Sequence, residues 1–357
     1  LNGKKYEVPK SGFYTTDAKT DYAIRFINET LEEGKKKPFF LYLAYNAPHY
    51  PLHAPKAEVM KYRGKYKKGW NELRKQRYSR QIKMGLIQKD WALSPAPENV
   101  RKWESLNEKE KDWEDFRMAA YAGMVDRMDQ GIGKLVKALK EKNIFDNTIL
   151  MFCSDNGACP FERTQGAEKM PWDPESYWTY DTGWAHAGNT PFRWYKQNQH
   201  EGGISSPLIV HWPKGIKLEK GSISDRVGHL VDFMPTCLEL ADAKYTGEGK
   251  AKLMGKSFVS TLKEQPDESH DFLYFHFGNN RAIRKGKWKV VSARGGPWEL
   301  YDMDKDRTEL NDLSKTQPAL TKELATLWYQ FAKNGDNLSQ KQRRPVSNKS
   351  QPWRKRG

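Results

Sequence analysis

Two side chains that can bind a metal ion follow an apolar run in the middle of the chain. The run covers residues 148–153, and Asp155 and Asn156 come directly after it. A strand that is apolar throughout is typical of a sheet covered on both faces, and ligands of such sheets bind beyond the carboxyl ends of the strands. A carboxylate and an amide oxygen suit a hard cation such as Ca²⁺ or Mg²⁺. The alternative is an ordinary turn, because Asp-Asn-Gly is also a common turn sequence.

Two further candidates lie near other apolar runs. Lys196 stands five residues before the Glu-Gly-Gly of 201–203, which precedes the apolar run 207–213, and His49 follows the run 39–44 between two prolines. A lysine is a compact positive charge on a long side chain, which can hold the oxygens of an anion. A histidine can donate a hydrogen bond or a proton to a leaving oxygen near neutral pH. The alternatives are a surface lysine and a structural histidine in a proline-flanked turn.

His186 and His276 are weaker candidates because their surroundings are less distinctive. His186 lies in the segment Gly183–Asn189, and His276 comes shortly before the Gly-Asn-Asn of 278–280. They either line a pocket for the organic part of a substrate or serve as ordinary loop or core histidines.

Together these motifs resemble the type I sulfatases of the alkaline phosphatase superfamily. The resemblance runs nearly from end to end, and four other segments are similar to the bacterial arylsulfatase branch: Gly69–Arg74, Met124–Asp129, Gly286–Lys289 and Trp298–Asp302. The resemblance implies an α/β fold with a doubly wound, mostly parallel sheet of the alkaline phosphatase type, only part of which lies in this chain. It also implies a small C-terminal antiparallel sheet plus helix.

The activity implied by the resemblance is sulfuric ester hydrolysis, with aryl or carbohydrate sulfates, including sulfated polysaccharides, as substrates. In that reaction, cations placed around the sulfuryl oxygens stabilise the developing charge, as in phosphoryl transfer. The resemblance makes Asp155 and Asn156 ligands of Ca²⁺ or Mg²⁺. It makes Lys196 a partner of the sulfate oxygens and His49 a hydrogen-bond donor to the leaving oxygen.

The nucleophile of these sulfatases is absent from the sequence. The family makes a formylglycine from the first residue of a Cys/Ser-x-Pro-x-Arg motif near the amino terminus. None of the three cysteines stands in this motif, and Ser205 has Ile209 where the arginine belongs. The chain also starts at Leu1 and lacks the paired aspartates that supply the other metal ligands in the family. We therefore expect the C-terminal part of a longer sulfatase, inactive alone, with the formylglycine in a missing N-terminal segment.

The elements that would position these residues alternate between helices and strands, which is typical of doubly wound α/β proteins. A capping box of Asn107 and Glu110 begins a long helix, and four short runs between 272 and 301, separated by turns, predict an antiparallel meander. The polar stretch 49–106 is predicted to be an excursion that walls a pocket. Other helices are predicted at 16–33, 229–241 and 318–332, and strands at 38–45 and at the apolar runs 148–153 and 207–213.

The predicted domains follow from this order of elements. A catalytic α/β domain covers 1–265, a C-terminal sheet-and-helix subdomain covers 266–340, and a basic tail covers 341–357. The tail is the densest basic cluster and is expected to be solvated.

The composition is that of a basic globular protein. A hydrophobic content of 37% is enough for a core, and the net charge of +16 favours anionic partners. Nucleic acid is not expected as a partner, because the basic residues are scattered and no zinc-finger, helix-turn-helix or RNA-binding motif occurs. No apolar stretch is long enough to span a membrane, and no targeting signal is visible. A periplasmic or secreted location is implied by the resemblance alone, and the sequence does not indicate an oligomeric state.

Two other functions stay open. One is a phosphodiesterase or phosphonate hydrolase of the same superfamily, because sulfate and phosphate esters present similar oxygens. The other is a non-catalytic protein that binds sulfated polymers through its basic charge, in a salt-dependent and metal-independent manner.

Overall fold

The computed structural model describes residues 1–32, 38–247, 252–266 and 269–334. They form two compact units that alternate along the chain. The first consists of Leu1–Leu73, Arg101–Thr148 and Pro160–Trp184, and the second of Arg74–Val100, Ile149–Cys159 and the described residues from Ala185 onward. The basic tail at 341–357, and the last residue of the helix predicted at 16–33, lie outside the described residues.

Helices and strands are numbered in chain order. The helices are α1 (Thr15–Glu32), α2 (Lys56–Met60), α3 (Gly69–Lys83), α4 (Glu108–Glu141), α5 (Asp181–Gly188), α6 (Glu201–Ile204), α7 (Phe233–Leu240), α8 (Val259–Leu262) and α9 (Pro318–Asn334). The strands are β1 (Leu150–Cys153), β2 (Leu208–His211), β3 (Leu273–Phe277), β4 (Asn280–Lys285), β5 (Trp288–Ser292) and β6 (Glu299–Asp302). None of the helices in the described ranges combines the length and the apolar composition that a membrane crossing needs.

The long helix α4 organises the first unit. It begins with the predicted capping box: Glu110 N donates to Asn107 Oδ1 at 3.0 Å, and Asn107 N donates to the Glu110 carboxylate at 2.9 Å. These bonds satisfy backbone N–H groups that have no partner within the helix. The helix packs against α1 and α2. Its buried face includes Ala120, Met124, Met128, Leu135 and Leu139.

The stretch 49–106, predicted to be a polar excursion, contains α2, α3 and part of the core of the first unit. The Trp70 ring packs edge-on against the rings of Trp103 and Trp184, with centroids 4.8 and 5.5 Å apart. All three indoles are buried. The many basic residues of this stretch favour a polar surface segment in a sequence-based prediction. They are compatible with an aromatic core because long basic side chains can cover apolar surface while their charged ends stay in water.

Strands β1 and β2 form at the two predicted apolar runs, but they are antiparallel. Leu150 pairs with His211, and Cys153 pairs with Leu208. The doubly wound, mostly parallel sheet is therefore not seen in the described residues. What the structure shows is an α/β chain with two small antiparallel sheets.

The strand predicted at 38–45 is wrong for the described residues. This segment has no regular secondary structure, and the side chains of Phe40 and Tyr42 are 78% and 82% exposed. An apolar run becomes a strand only where a neighbouring strand supplies partners for its N–H and C=O groups.

Strands β3 to β6 form the predicted antiparallel meander, in sequence order. Helix α9 packs on one face of this sheet, and Trp328 donates its indole N–H to the carbonyl of Phe275 at 3.1 Å. The core between them contains Ile283, Val290, Leu300, Leu324, Trp328 and Ala332. The predicted C-terminal sheet plus helix is thus confirmed.

The helix predicted at 229–241 is observed as a 3₁₀ turn, Leu230–Asp232, followed by α7. Two apolar residues of this segment, Leu230 and Met234, are each 50% exposed. Asp232 is the buried residue here, and its carboxylate accepts from the backbone N–H groups of His229 and Lys256, each at 2.8 Å. These bonds compensate for the burial of the charge.

The second unit buries an arginine next to a neutral histidine. The Arg74 guanidinium is enclosed and donates to the carbonyl oxygens of His186 at 2.6 Å and Pro191 at 2.9 Å. Burial lowers the pKa of Arg74 to about 9. Burial and the nearby Arg74 charge lower the pKa of His186 to about 3, so this histidine is neutral at physiological pH.

We predict that His186→Gln makes the fold less sensitive to acid. The unfolded chain protonates His186 below a pH of about 6.5, whereas the folded state keeps it neutral down to about 3. As the pH is lowered through this window, the free energy of unfolding therefore decreases, by about 2 kcal/mol at a pH near 5. Urea unfolding at neutral pH and near pH 5 measures this loss. The variant should lose less stability than the wild type, and the exposed-site control His49→Gln should match the wild type. Equal losses in His186→Gln and the wild type would contradict the prediction.

Candidate active site

The two predicted metal ligands lie just beyond the end of β1. Asp155 is exposed and Asn156 is half-buried. Ser154 Oγ donates to the backbone carbonyl of Asn156 at 2.9 Å and so stabilises the turn. Within the described residues no salt bridge neutralises Asp155. Its carboxylate is therefore accessible to a cation from solvent.

Gly157 brings this turn into backbone contact with the Glu-Gly-Gly segment. Its N–H donates to the carbonyl of Gly203 at 3.0 Å. A β-carbon at Gly157 would overlap the carbonyl oxygen of Gly202. The crossing thus requires a glycine after Asn156, which explains why the two sequence motifs occur together.

Lys196 is bonded to the same turn. Its backbone N–H donates to the carbonyl of Ala158 at 3.0 Å, two residues after Asn156. Asn189 strengthens the junction: its Oδ1 accepts from Ala158 N, and its Nδ2 donates to the carbonyl of Trp194, both at 3.0 Å. The structure therefore brings the segment of Lys196 and the segment of the two predicted ligands together in the second unit.

The backbone on each side of Lys196 is strained. Trp194 has a φ of 60° and Gln197 a φ of 74°, both in the left-handed region. This region is unfavourable for residues other than glycine, and such strain persists only where the surrounding structure imposes it. Lys196 thus lies on a segment whose conformation is set by its surroundings.

His49 belongs to the first unit and is exposed. Its Nδ1 lies 2.7 Å from the carbonyl oxygen of Tyr50, and its ring stacks on the Tyr50 ring with centroids 4.3 Å apart. A carbonyl oxygen can only accept, so Nδ1 carries a proton. Nε2 can then donate to a leaving oxygen only in the doubly protonated ring. The predicted role of His49 therefore calls for the imidazolium form.

The two weaker candidates, His186 and His276, are packed against other parts of the protein. His186 lies in α5 and is 1% exposed, which does not favour direct contact with a substrate. His276 lies on β3, where its Nε2 is 2.7 Å from the carbonyl oxygen of Gly278 and its ring packs edge-on against Trp328 of α9. Substrate binding by either residue stays a prediction.

A buried cluster of charges in the second unit was not predicted from the sequence. The Lys289 Nζ is fully buried between Glu201 Oε1 at 2.6 Å and Glu309 Oε1 at 2.8 Å. Burial lowers the pKa of Lys289, although the Glu309 carboxylate opposes this shift. The Gly-Lys-Trp-Lys motif at 286–289 carries no local sign that its second lysine is buried.

The same cluster contains a histidine–glutamate pair. His200 Nε2 lies 2.9 Å from Glu299 Oε2, and the Tyr301 hydroxyl donates to the same oxygen at 2.6 Å. Burial raises the pKa of Glu299, but the hydrogen bond and charge of His200, with the Tyr301 bond, outweigh it and lower the value to about 2. Glu299 is therefore ionised at neutral pH.

The residues present fit part of a hard-cation site. Asp155 and Asn156 offer two side-chain oxygens of the kind that hard cations bind, the first on an exposed and the second on a half-buried residue of the turn. The described part of the chain holds no group of three or more His, Cys, Asp or Glu side chains that could bind a metal ion. Hard cations take six or more oxygen ligands. The two residues would thus need further ligands from water, substrate or other protein groups.

Comparison with known proteins identifies the family. Residues 2–243 match the family model described as Sulfatase, and residues 191–335 match the model described as N-sulphoglucosamine sulphohydrolase, C-terminal. An uncharacterized sulfatase of Schizosaccharomyces pombe is 33% identical, over 86% of this chain and 60% of the relative. An arylsulfatase of Klebsiella aerogenes is 31% identical, over 67% of this chain and 53% of the relative.

The solved structures include a similar chain, Ps i-CgsB in complex with k-i-k-neocarrahexaose. It has a TM-score of 0.63 and 27% identity, over 94% of this chain and 58% of that chain. This chain therefore spans only 53% to 60% of the length of the three proteins. The Asp-Asn-Gly turn, Lys196 and the Glu-Gly-Gly segment all lie within the residues that match the Sulfatase model. Because that model covers more than half of the chain, the chain belongs to the sulfatase family.

Proposed function

We propose that the whole protein hydrolyses sulfate esters, of aryl or carbohydrate type, and that this chain supplies part of the active site. The observation that carries the proposal is the backbone junction of the second unit. The bond from Lys196 N to Ala158 O, at 3.0 Å, joins the backbone of the proposed cationic residue to the turn that carries the two proposed oxygen ligands. Sulfuryl transfer needs this combination of charges.

In the proposed reaction, the side chains of this chain bind and orient the sulfuryl group. Asp155 and Asn156 would hold a Ca²⁺ or Mg²⁺ ion, which when bound offsets negative charge on the sulfate oxygens. Lys196 would hold other sulfate oxygens through its ammonium group, whose three donors can adapt to them. The strained backbone around Lys196 would fix the start of that long side chain, so that less conformational freedom is lost when substrate binds.

The proposed nucleophile is a formylglycine in a part of the protein outside residues 1–357. The support is the family membership together with the sequence itself, in which no Cys/Ser-x-Pro-x-Arg motif occurs. We further propose that β1 and β2 belong to a larger, mostly parallel sheet in the whole protein. Phe152 and Ile209, on these strands, are 44% and 61% exposed, which is unusual for strands so apolar.

A sulfated carbohydrate is the proposed substrate class. A similar solved structure carries a bound hexaose, and the net charge of +16 favours polyanionic ligands.

We predict that Asp155→Ala in the intact protein, expressed from its complete reading frame, abolishes most sulfatase turnover. The change removes a charged metal ligand, and loss of one ligand weakens a hard-cation site directly. Cys153→Ala is the matched control two residues away, because it trims only a half-buried strand side chain and should leave activity near the wild-type level. Turnover of nitrophenyl sulfate and calcium affinity by calorimetry measure both effects. Normal calcium binding and turnover in Asp155→Ala would refute the assignment.

We also predict different responses to the leaving group for His49→Ala and Lys196→Ala in the intact protein. A donor to the leaving oxygen matters most when that oxygen is basic, as in a sugar alcohol, and least for a stabilised phenolate. Neutralisation of the sulfuryl group matters for every substrate. His49→Ala should therefore slow a carbohydrate sulfate more than nitrophenyl sulfate, and Lys196→Ala should slow both by a similar factor. Single-turnover rates decide the outcome, because product release cannot mask them. Equal losses for His49→Ala on both substrates would exclude the leaving-group role.

A further inference from the structure

The buried Lys289 is the most unusual charge in the second unit. Its side chain has no exposed surface, and its partners Glu201 and Glu309 are almost as deeply buried. An ion pair gains little over apolar packing at such a site, because taking charges out of water is costly. Such a pair is useful where it specifies one arrangement of the segments that it joins, because a displaced partner leaves a charge buried alone. The hydrolysis proposed above gives this cluster no direct role.

One arm of the cluster fixes the segment that follows Lys196. Glu201 begins α6, and its backbone N–H donates to Glu309 Oε2 at 2.8 Å. Arg307 binds the other carboxylate oxygen of Glu201 and donates from Nη2 to Ser205 Oγ at 2.9 Å. The start and the end of α6 are thus both bound to charged groups of the C-terminal subdomain.

A second arm fixes the segment that precedes Lys196. Arg193 Nη1 donates to the backbone carbonyl of Glu309 at 2.6 Å and to the Tyr301 hydroxyl at 2.9 Å. The Arg193 carbonyl accepts from the N–H of Gly202 at 3.0 Å, which closes residues 193–202 into a loop. A β-carbon at Gly202 would overlap that carbonyl. Lys196 therefore lies on a loop that the cluster holds at both ends.

We propose that Lys289 is a positioning residue, which places the Lys196 ammonium for sulfuryl transfer by holding the loop 193–205 through Glu201 and Glu309. The proposal rests on the function proposed for Lys196. Lys289 is the ion-pair partner that Glu201 and Glu309 share. When it is removed, Arg307 still pairs with Glu201, but the two close carboxylates lose the cation between them. Their repulsion would move Glu201, and with it the hydrogen bonds that join the loop to the Asp-Asn-Gly turn.

The test compares Lys289→Met with Lys287→Met in the intact protein. Lys287 is two residues away and pairs with Asp302 at 3.0 Å, but it is 42% exposed and makes no ion pair with Glu201 or Glu309 among the described residues. Hydrogen exchange, followed by mass spectrometry, should speed up in peptides covering 193–205 for Lys289→Met, while β3 to β6 stay protected as in the wild type. Lys287→Met should show neither change. Unaltered exchange at 193–205 in Lys289→Met would overturn the proposal.

Kinetics supply the readout that a purely structural role would not move. Lys289→Met should lower the single-turnover rate on nitrophenyl sulfate by roughly 10- to 100-fold, as expected for a small misplacement of a catalytic group. In a Lys196→Ala background the same change should have almost no further effect, because Lys289 acts through Lys196. An equal factor in both backgrounds would refute the positioning role. If Lys289→Met does not fold, Glu309→Gln replaces it, since glutamine keeps an acceptor for Glu201 N but removes the charge; the same two outcomes then decide.

Failure of the proposed function would look different. A wild-type protein without sulfatase turnover, or a Lys196→Ala variant with full turnover, would refute sulfate hydrolysis by this site. The exchange rates at 193–205 would still show whether Lys289 holds the loop.

Discussion

The close crossing of the Asp-Asn-Gly turn and the Glu-Gly-Gly segment is the constraint on which the candidate site depends. Gly157 N bonds to Gly203 O at 3.0 Å, with no space for a β-carbon at Gly157. Once the two backbones are this close, the carbonyl of Ala158 faces the N–H of Lys196. The backbone segments that carry Asp155, Asn156 and Lys196 are thus joined through main-chain contacts. Local backbone geometry thus accounts for the contact between the two motifs.

Buried charged residues also hold the Glu-Gly-Gly segment, because Lys289 pairs with Glu201 at its start. The C-terminal sheet contributes a lysine, a glutamate and a tyrosine to the buried polar cluster beside the loop, while its opposite face packs on α9 through apolar residues. One small sheet therefore has two different roles. Its apolar face supplies most of the stabilisation through burial, and its polar face sets the path of a neighbouring loop.

The elements that could be predicted from the sequence are those that are determined by residues close together along the chain. The capping box at Asn107 and the meander from β3 to β6 depend on neighbouring residues and short turns, and both are observed. The segment 38–45 failed as a strand because pairing depends on partners elsewhere, which no local pattern reports. The predicted parallel sheet is not seen for a similar reason. The direction of β1 relative to β2 is set by the path of the chain between them, and the observed pairing is antiparallel.

The same distinction holds for the site. Asp155, Asn156 and Lys196 can be found from the sequence because their motifs contain glycines and lie near apolar runs, and the structure joins their segments. Lys289 could not be found in this way, because one lysine among 61 basic residues carries no sign that it is buried. Its glutamate partners are 88 and 20 residues away along the chain.

The half-exposed strands β1 and β2 have a practical consequence for handling the protein. Phe152, Leu208 and Ile209 present apolar surface on a narrow sheet, and strand edges with free N–H and C=O groups readily pair with strands of other molecules. The high positive charge opposes such association through mutual repulsion at low ionic strength, and added salt screens that repulsion. Solubility of residues 1–357 on their own should therefore decrease as salt is raised.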